Sequence, residues 1–219
     1  MIIYFTGIDG SGKSTIIKEL EARKIFGSNY VAIRGGYVVK LIKPFSNLVR
    51  NKKVKSSTNY NYISKSDYNN WKSFKKKLLD VPFINNFLYA FQSFDYYLQI
   101  IKLEREFLNK NITVVLDRYI YDYLTGQNIY YGDKRGNFWY KILMKKLAAV
   151  NYMFFIDIDC RTAFSRKDDI PSIEFLEERK QCYVNAIKDQ DNSYIIDNNG
   201  SIDNTISQIV NILPNTNNT

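Results

Sequence analysis

The chain has 219 residues, 45% of them hydrophobic and 24% charged, with a net charge of +9 at neutral pH. That length and balance suit one globular domain with a core of its own. Histidine is absent, which excludes histidine triads, histidine proton relays and histidine metal sites, and Cys160 and Cys182 are too few for a disulfide framework and lack metal-ligand spacing.

Met1 to Thr6 is a short apolar run of β type, followed by Gly7-Ile8-Asp9-Gly10-Ser11-Gly12-Lys13-Ser14-Thr15. After it Ile16, Ile17 and Leu20 fall at helical spacing. A strand, a glycine-rich turn spelling G-x-x-x-x-G-K-S and a helix start form the context in which that spelling marks a phosphate site. Backbone N–H groups of such a turn converge on one anion, and the helix adds its free N–H groups and positive dipole end. Lys13 is expected to reach the β- and γ-phosphates, with the Ser14 hydroxyl on Mg²⁺ and Asp9 to Thr15 forming the nucleotide cradle. The apolar start is too short for a secretory leader, so the cytoplasm is the expected location.

Asn29 to Ile33 reads as a second strand that delivers Arg34-Gly35-Gly36 at its end. Tyr37 to Val49 suggests a helix broken at Pro44, Ser56 to Asn70 a mobile loop, and Trp71 to Leu79 a helix start. Much of the basic excess lies between residues 50 and 77, and this tyrosine-rich stretch reads as a solvated basic segment rather than a nucleic-acid surface. Phe83 to Asn109 carries Phe87, Phe91, Phe94, Leu98, Ile101 and Leu108 at helical spacing and predicts one helix long enough to cross the domain; its polar interruptions exclude a membrane span.

Ile112 to Leu116 is a β-branched apolar run of the kind found in central parallel strands, with Asp117-Arg118-Tyr119 at its end. Polar, aromatic and glycine residues fill Tyr121 to Asn137, Phe138 to Val150 predicts a helix, and Tyr152 to Ile158 another buried strand. Arg161 to Asp169 is charged and leads through Pro171 to Ser172, a cap for a helix over Ile173 to Lys188. Tyr194 to Ile196 is the last strand and Asp203 to Leu213 the last helix. Strands alternating with helices predict an α/β domain with a parallel sheet covered on both faces.

Chemistry-bearing residues gather at the carboxyl ends of these strands. Asp117 is placed to approach Mg²⁺, and Arg118 and Arg34 are guanidinium forks suited to phosphate. Arg161, Arg166, Lys167 and Arg179 follow the fourth strand, and a short lid over about 161–172 would bring one arginine to a transferring phosphate; spacing leaves the choice open. Tyr89, Phe91, Phe94, Tyr96 and Tyr97 on the long helix supply core and a surface for a base.

The glycine turn, from Phe5 to Thr15, closely resembles the opening of the thymidylate kinase family, and Asp117-Arg118-Tyr119 resembles its Asp-Arg-Tyr motif. Arg34-Gly35-Gly36 is similar to a shortened Arg-Glu-Pro-Gly-Gly, and Phe155 to Asp159 followed by Arg166 is similar to its last central strand and lid. The resemblance implies a three-layer P-loop NTPase fold with a five-stranded parallel sheet in the order 2-3-1-4-5. It implies that Asp117 lies at the Mg²⁺-phosphate site, that Arg118 and Arg34 hold the acceptor phosphate, and that Asp9 contacts the acceptor's sugar hydroxyl. Lys13, Asp117, Arg118 and Arg166 then carry catalysis, and Asp9, Arg34, Tyr89, Ser93, Arg118 and Tyr119 the acceptor. The family's Phe/Tyr-x-x-x-Arg on the long helix, whose arginine reads thymine, is matched here by Tyr89 with Ser93 in place of the arginine, and the Glu-Pro of the second loop is missing.

The expectation is phosphoryl transfer from ATP-Mg²⁺ to a nucleoside monophosphate, dTMP by resemblance, within a single domain that pairs through its long helix as a possible homodimer. A kinase acting on a nucleoside or sugar hydroxyl, with Asp9 or Asp117 as base, is the alternative. A nucleic-acid-stimulated ATPase or nucleotide-binding switch using the basic segment is the alternative from another class.

Overall fold

In the computed structural model residues 1–37, 79–108, 110, 112–187 and 190–214 are described. The expected helices over 37–49 and 71–79, the loop over 56–70 and the basic segment over 50–77 fall almost wholly outside these residues. The strands are β1 (Ile2–Thr6), β2 (Tyr30–Arg34), β3 (Thr113–Asp117), β4 (Tyr152–Asp157) and β5 (Ser193–Asp197). The helices are α1 (Lys13–Ala22), α2 (Pro82–Leu103), α3 (Ile120–Tyr131), α4 (Phe138–Leu147), α5 (Cys160–Ser165), α6 (Ile173–Ile187) and α7 (Ile202–Ile212).

The five strands form one parallel sheet in the order β2-β3-β1-β4-β5, as the sequence predicts. Its central strands β3, β1 and β4 are buried on both faces, and the pleat divides their side chains in two. Tyr4, Val114, Leu116, Met153 and Phe155 point into one core, which α2, α3, α4 and α6 cover. Ile3, Phe5, Val115, Phe154 and Ile156 point into the other, under α1 and α7. Each fully buried side chain of this size stabilises the layers by about 1.5–3 kcal/mol.

β1 lies between β3 and β4, so the chain departs in opposite directions from β1 and β3. The crevice outside their carboxyl ends is where such sheets bind ligands. The register puts Arg34 beside Asp117, and Asp117 beside Phe5, on that edge.

Three helices differ from expectation. α2 is α-helical only to Leu103 and continues as a π-helical turn over Glu104–Leu108. Its inward face is Tyr89, Ser93, Asp95, Tyr96 and Ile100, whereas Phe87, Phe94 and Leu98 of the apolar stripe seen in the sequence are 59%, 39% and 42% exposed. Apolar side chains surround this helix, so periodicity alone did not select a side. The polar groups chose it: Ser93 Oγ meets Tyr123 Oη at 3.1 Å, Tyr37 donates to Asp95 at 3.0 Å, and Tyr96 donates to the Gly35 carbonyl at 3.3 Å. α3 fills a stretch without a predicted element, because Gly126 and its tyrosines and asparagine are weak helix formers. Tertiary burial of Ile120, Tyr121, Tyr123 and Leu124 stabilises it instead. Likewise the first half of the expected lid is the helix α5, with Asp159 as its N-cap. No described helix is long and apolar enough to cross a membrane.

Candidate active site

The turn between β1 and α1 wraps a cleft of about 540 Å³ lined by Asp9 to Thr15, with Arg34, Asp117, Arg118, Arg166, Lys167 and Asn198 around it. Gly10 has φ +82°, and a Cβ there would overlap the Ala163 carbonyl of α5. Glycine is therefore what lets the turn lie against α5. α1 starts at Gly12 with no side-chain cap, which leaves its first N–H groups for an anion.

Lys13 is 5% exposed. Its ammonium donates to the carbonyls of Gly7 and Ile8 at 2.9 and 2.8 Å and to Ser11 Oγ at 3.0 Å, so its three donors are spent on its own loop. Burial, and then the neighbouring Arg118, pull its pKa down to about 8. Phosphates entering the cleft favour the ammonium and raise that value again. Below pH 7 Lys13 is charged with or without nucleotide; above pH 8 only the bound state stays charged. Nucleotide binding is therefore expected to take up protons at pH 8.5 and far fewer at pH 6.5. Calorimetry in buffers of different ionisation enthalpy reads this directly, and equal uptake at both pH values would contradict it.

Asp117 ends β3. Its Oδ2 accepts from Ser14 Oγ at 2.8 Å, while its Oδ1 is buried without a hydrogen-bond partner among the described residues. A buried, unpartnered carboxylate oxygen beside a hydroxyl fits Mg²⁺, which binds through one or two protein oxygens and the phosphates of its nucleotide.

Arg118 stands between two carboxylates. It pairs with Asp9, and Nη1 lies 3.2 Å from Asp122 Oδ1. Burial works against its charge, but Asp122 and Asp9 outweigh burial and raise its pKa. Burial alone would raise Asp9; the charges of Arg118, Lys13 and Arg179 overcome that and hold it below the usual carboxylate range. Asp9 lines the P-loop cleft and is engaged by Arg118 and, at 3.5 Å, by Arg179; it does not line the second cleft described next, where the resemblance would put a sugar.

That second cleft, about 520 Å³, is lined by Arg34, Gly36, Tyr37, Arg118, Asp122, Tyr123, Gly126, Gln127 and Tyr130. Arg34 and Arg118 border both clefts. Arg34 is exposed and has no ion-pair partner among the described residues. A Cβ at Gly35 would overlap the Arg118 carbonyl, so a glycine there lets the β2 turn close on the Arg118 backbone. Tyr119 packs edge-on against Tyr4 at 5.9 Å and lines a smaller hollow beside Arg34 and Tyr96.

Tyr89 and Ser93 line none of the described clefts: both are fully buried one layer beneath, Tyr89 against Leu79 and Tyr131, and Ser93 against Tyr123. The i,i+4 spacing that aligned them with a base-reading pair places them on the inward face of α2. Of the lid cations, Arg166 and Lys167 reach the P-loop cleft. Arg179 sits over the Phe175 ring at 4.5 Å and against Asp9, and Arg161 lines none of these clefts.

Three residues that line the clefts are not among those the sequence singles out. Asp122 binds Arg118, and its signal was a carboxylate one helical turn after that arginine. Gln127 is 8% exposed and its amide oxygen is buried with no partner among the described residues; its helix was itself not foreseen. Asn198, after β5, donates to the Ser11 carbonyl at 2.8 Å and accepts from Thr205 at 2.8 Å, tying the P-loop to the β5–α7 turn.

No protein-family model matches the chain. A thymidylate kinase from Thermosipho melanesiensis is 27% identical over 227 residues, covering 97% of each chain. Among solved structures, a deoxyadenosine kinase from M. mycoides with bound dATP is similar at TM-score 0.56 and 13% identity, over 96% of this chain and 98% of that one. A thymidylate kinase from Ehrlichia chaffeensis is similar at TM-score 0.50 and 20% identity, over 98% of each. The chain thus has the fold of these nucleotide kinases, and its sequence is similar along nearly its whole length to that of the Thermosipho melanesiensis thymidylate kinase.

Proposed function

We propose that the protein is an ATP-dependent nucleoside monophosphate kinase that transfers the γ-phosphoryl group of ATP to dTMP, giving dTDP and ADP. One observation carries this reading: a P-loop cleft and a tyrosine-lined cleft adjoin, with Arg34 and Arg118 at their common border. Two phosphorylated substrates entering from either side meet end to end there, between cations. An acceptor that is already a phosphate needs no general base, so positioning and charge stabilisation carry the catalysis.

In this reading Asp9 to Thr15 hold the triphosphate and Lys13 leaves its own carbonyls for the β- and γ-phosphates. Ser14 and Asp117 would hold Mg²⁺, which supplies charge neutralisation between the phosphates. Arg118 and Arg34 grip the acceptor phosphate, and Arg166, with Lys167, closes over the donor from the segment after α5 and excludes water. Tyr37, Tyr123 and Tyr130 give the base flat apolar walls. Gln127 offers a donor and an acceptor to its edge, in place of the arginine missing at Ser93. The cytoplasm fits such a substrate pair, and the exposed Phe83, Phe87, Phe94 and Leu98 of α2 suit pairing with a second copy.

Gln127→Leu tests the acceptor side, because it keeps the volume and removes the polar atoms. It is expected to raise the KM for dTMP about 10-fold, the cost of one or two lost hydrogen bonds, with the KM for ATP unchanged. Equal effects on both substrates, measured by ADP release, would overturn the base-binding role. The second reading, transfer to a nucleoside hydroxyl with Asp9 or Asp117 as base, draws on the Asp117 Oδ1, which is buried without a hydrogen-bond partner among the described residues. It predicts that thymidine or another nucleoside is phosphorylated and its monophosphate is not.

A further inference from the structure

Asp122 has a side chain only 6% exposed, yet it forms part of the wall of the acceptor cleft. Donors reach it from β1, from the turn after β3 and from α6. Its Oδ1 accepts from Arg118 Nη1 at 3.2 Å and from the Tyr183 hydroxyl at 2.8 Å. Its Oδ2 accepts from the Tyr4 hydroxyl at 2.5 Å, from Thr6 Oγ1 at 3.2 Å and from the Tyr119 N–H at 3.1 Å. A carboxylate has about four lone-pair sites, so this one is saturated and would have to give up a partner to act as a base.

The residue it holds is under strain. Arg118 has φ +71°, in the left-handed region although it is not glycine. Such a conformation is unfavourable for a residue with a side chain and persists where its surroundings over-determine it. Asp9 and Asp122 do so by gripping the guanidinium from two sides. The helix α6 then fastens both carboxylates: Arg179 lies 3.5 Å from Asp9, and one turn later Tyr183 bonds Asp122. The Tyr183 and Tyr4 hydroxyls are held protonated by burial and then by the Asp122 charge, which keeps both as donors.

We propose that Asp122 is a positioning residue for phosphoryl transfer: it fixes the Arg118 guanidinium at the border of the two clefts and is itself held by Tyr4 and Tyr183. This rests on the reading of Arg118 as a ligand of the acceptor phosphate.

A double-mutant cycle decides it. Asp122→Asn keeps the size and one carbonyl acceptor and removes the charge. It is expected to lower kcat/KM for dTMP about 10-fold with ATP affinity nearly unchanged, and to lower the melting temperature because buried donors lose their acceptor. Arg118→Ala is expected to lower it about 100-fold, and the double variant by about the same 100-fold, because Asp122 acts only through Arg118. A double variant reduced about 1000-fold, the product of the two, would overturn the proposal. If Asp122→Asn does not fold, Asp122→Ser combined with Tyr4→Phe removes the carboxylate together with its shortest donor and carries the same cycle.

Guanidinium rotation of Arg118, read by ¹⁵N NMR in the ligand-free protein, supplies an answer independent of turnover. Slow rotation in the wild type and faster rotation in Asp122→Asn is expected; equal rotation would overturn the positioning role. A wild-type protein that phosphorylates no monophosphate while showing that NMR difference would remove the acceptor reading of Arg118, and with it the catalytic part of the proposal, but not the restraint itself.

Discussion

Replacing Lys13 by alanine is expected to reduce turnover at saturating ATP by about 10²- to 10³-fold, the range for removing one preorganised donor from a developing charge. The ammonium rests against Gly7 O, Ile8 O and Ser11 Oγ at 2.8 to 3.0 Å, contacts that the proposed function exchanges for phosphate oxygens. The other cations of the cleft reach it from its rim, at the end of β2, after β3 and after α5. None can take the place of a lysine rooted in the floor of the loop. The variant loses three hydrogen bonds but also sheds a charge whose burial is unfavourable, as its lowered pKa indicates. The melting temperature should therefore change little. Turnover at the wild-type level in a folded variant would overturn the assignment of the site.

Arg118→Ala is the second large effect, and its direction separates the two substrates. Charge-assisted bonds from one guanidinium to a phosphate are worth a loss of about 100-fold in kcat/KM for the acceptor, against a much smaller change in ATP affinity. Stability should fall too, because Asp9 and Asp122 lose the cation they share. Steady-state kinetics with each substrate varied in turn, beside a thermal melt, reads both. A selective loss of ATP binding would contradict the role given to Arg118.

The legible parts of this protein are those whose cause is local. Val114-Val115-Leu116 and Met153-Phe154-Phe155-Ile156 are apolar without interruption, as strands covered on both faces must be, and the sheet follows from them. The phosphate turn is a contiguous spelling with a strand before it and a helix after it. What was hidden depends on partners far along the chain. Asp122 is defined by Tyr4 and Tyr183, which are 118 and 61 residues away, and its one local signal, the i,i+4 spacing from Arg118, does not reveal those partners. The choice of face on α2 was decided by Tyr123, Tyr37 and the Gly35 carbonyl, so an alignment along the helix put Tyr89 and Ser93 in a cleft that they do not line. Gln127 was hidden by its helix, whose tyrosines and glycine look like a loop until the core that covers them is known. Short-range pattern sufficed for the donor half, whereas the acceptor half is assembled by tertiary contacts.

The most direct test of the central claim is the fate of the ATP γ-phosphate when the purified protein is given Mg²⁺, ATP and one candidate acceptor at a time. The acceptors are dTMP, dUMP, the other monophosphates, their nucleosides, a few sugars and a polynucleotide. Transfer to a monophosphate, with dTMP preferred, dTDP as product and no stimulation by polynucleotide, is the predicted result. ATP consumption that requires polynucleotide and falls as salt rises, or no transfer to any monophosphate, would contradict it.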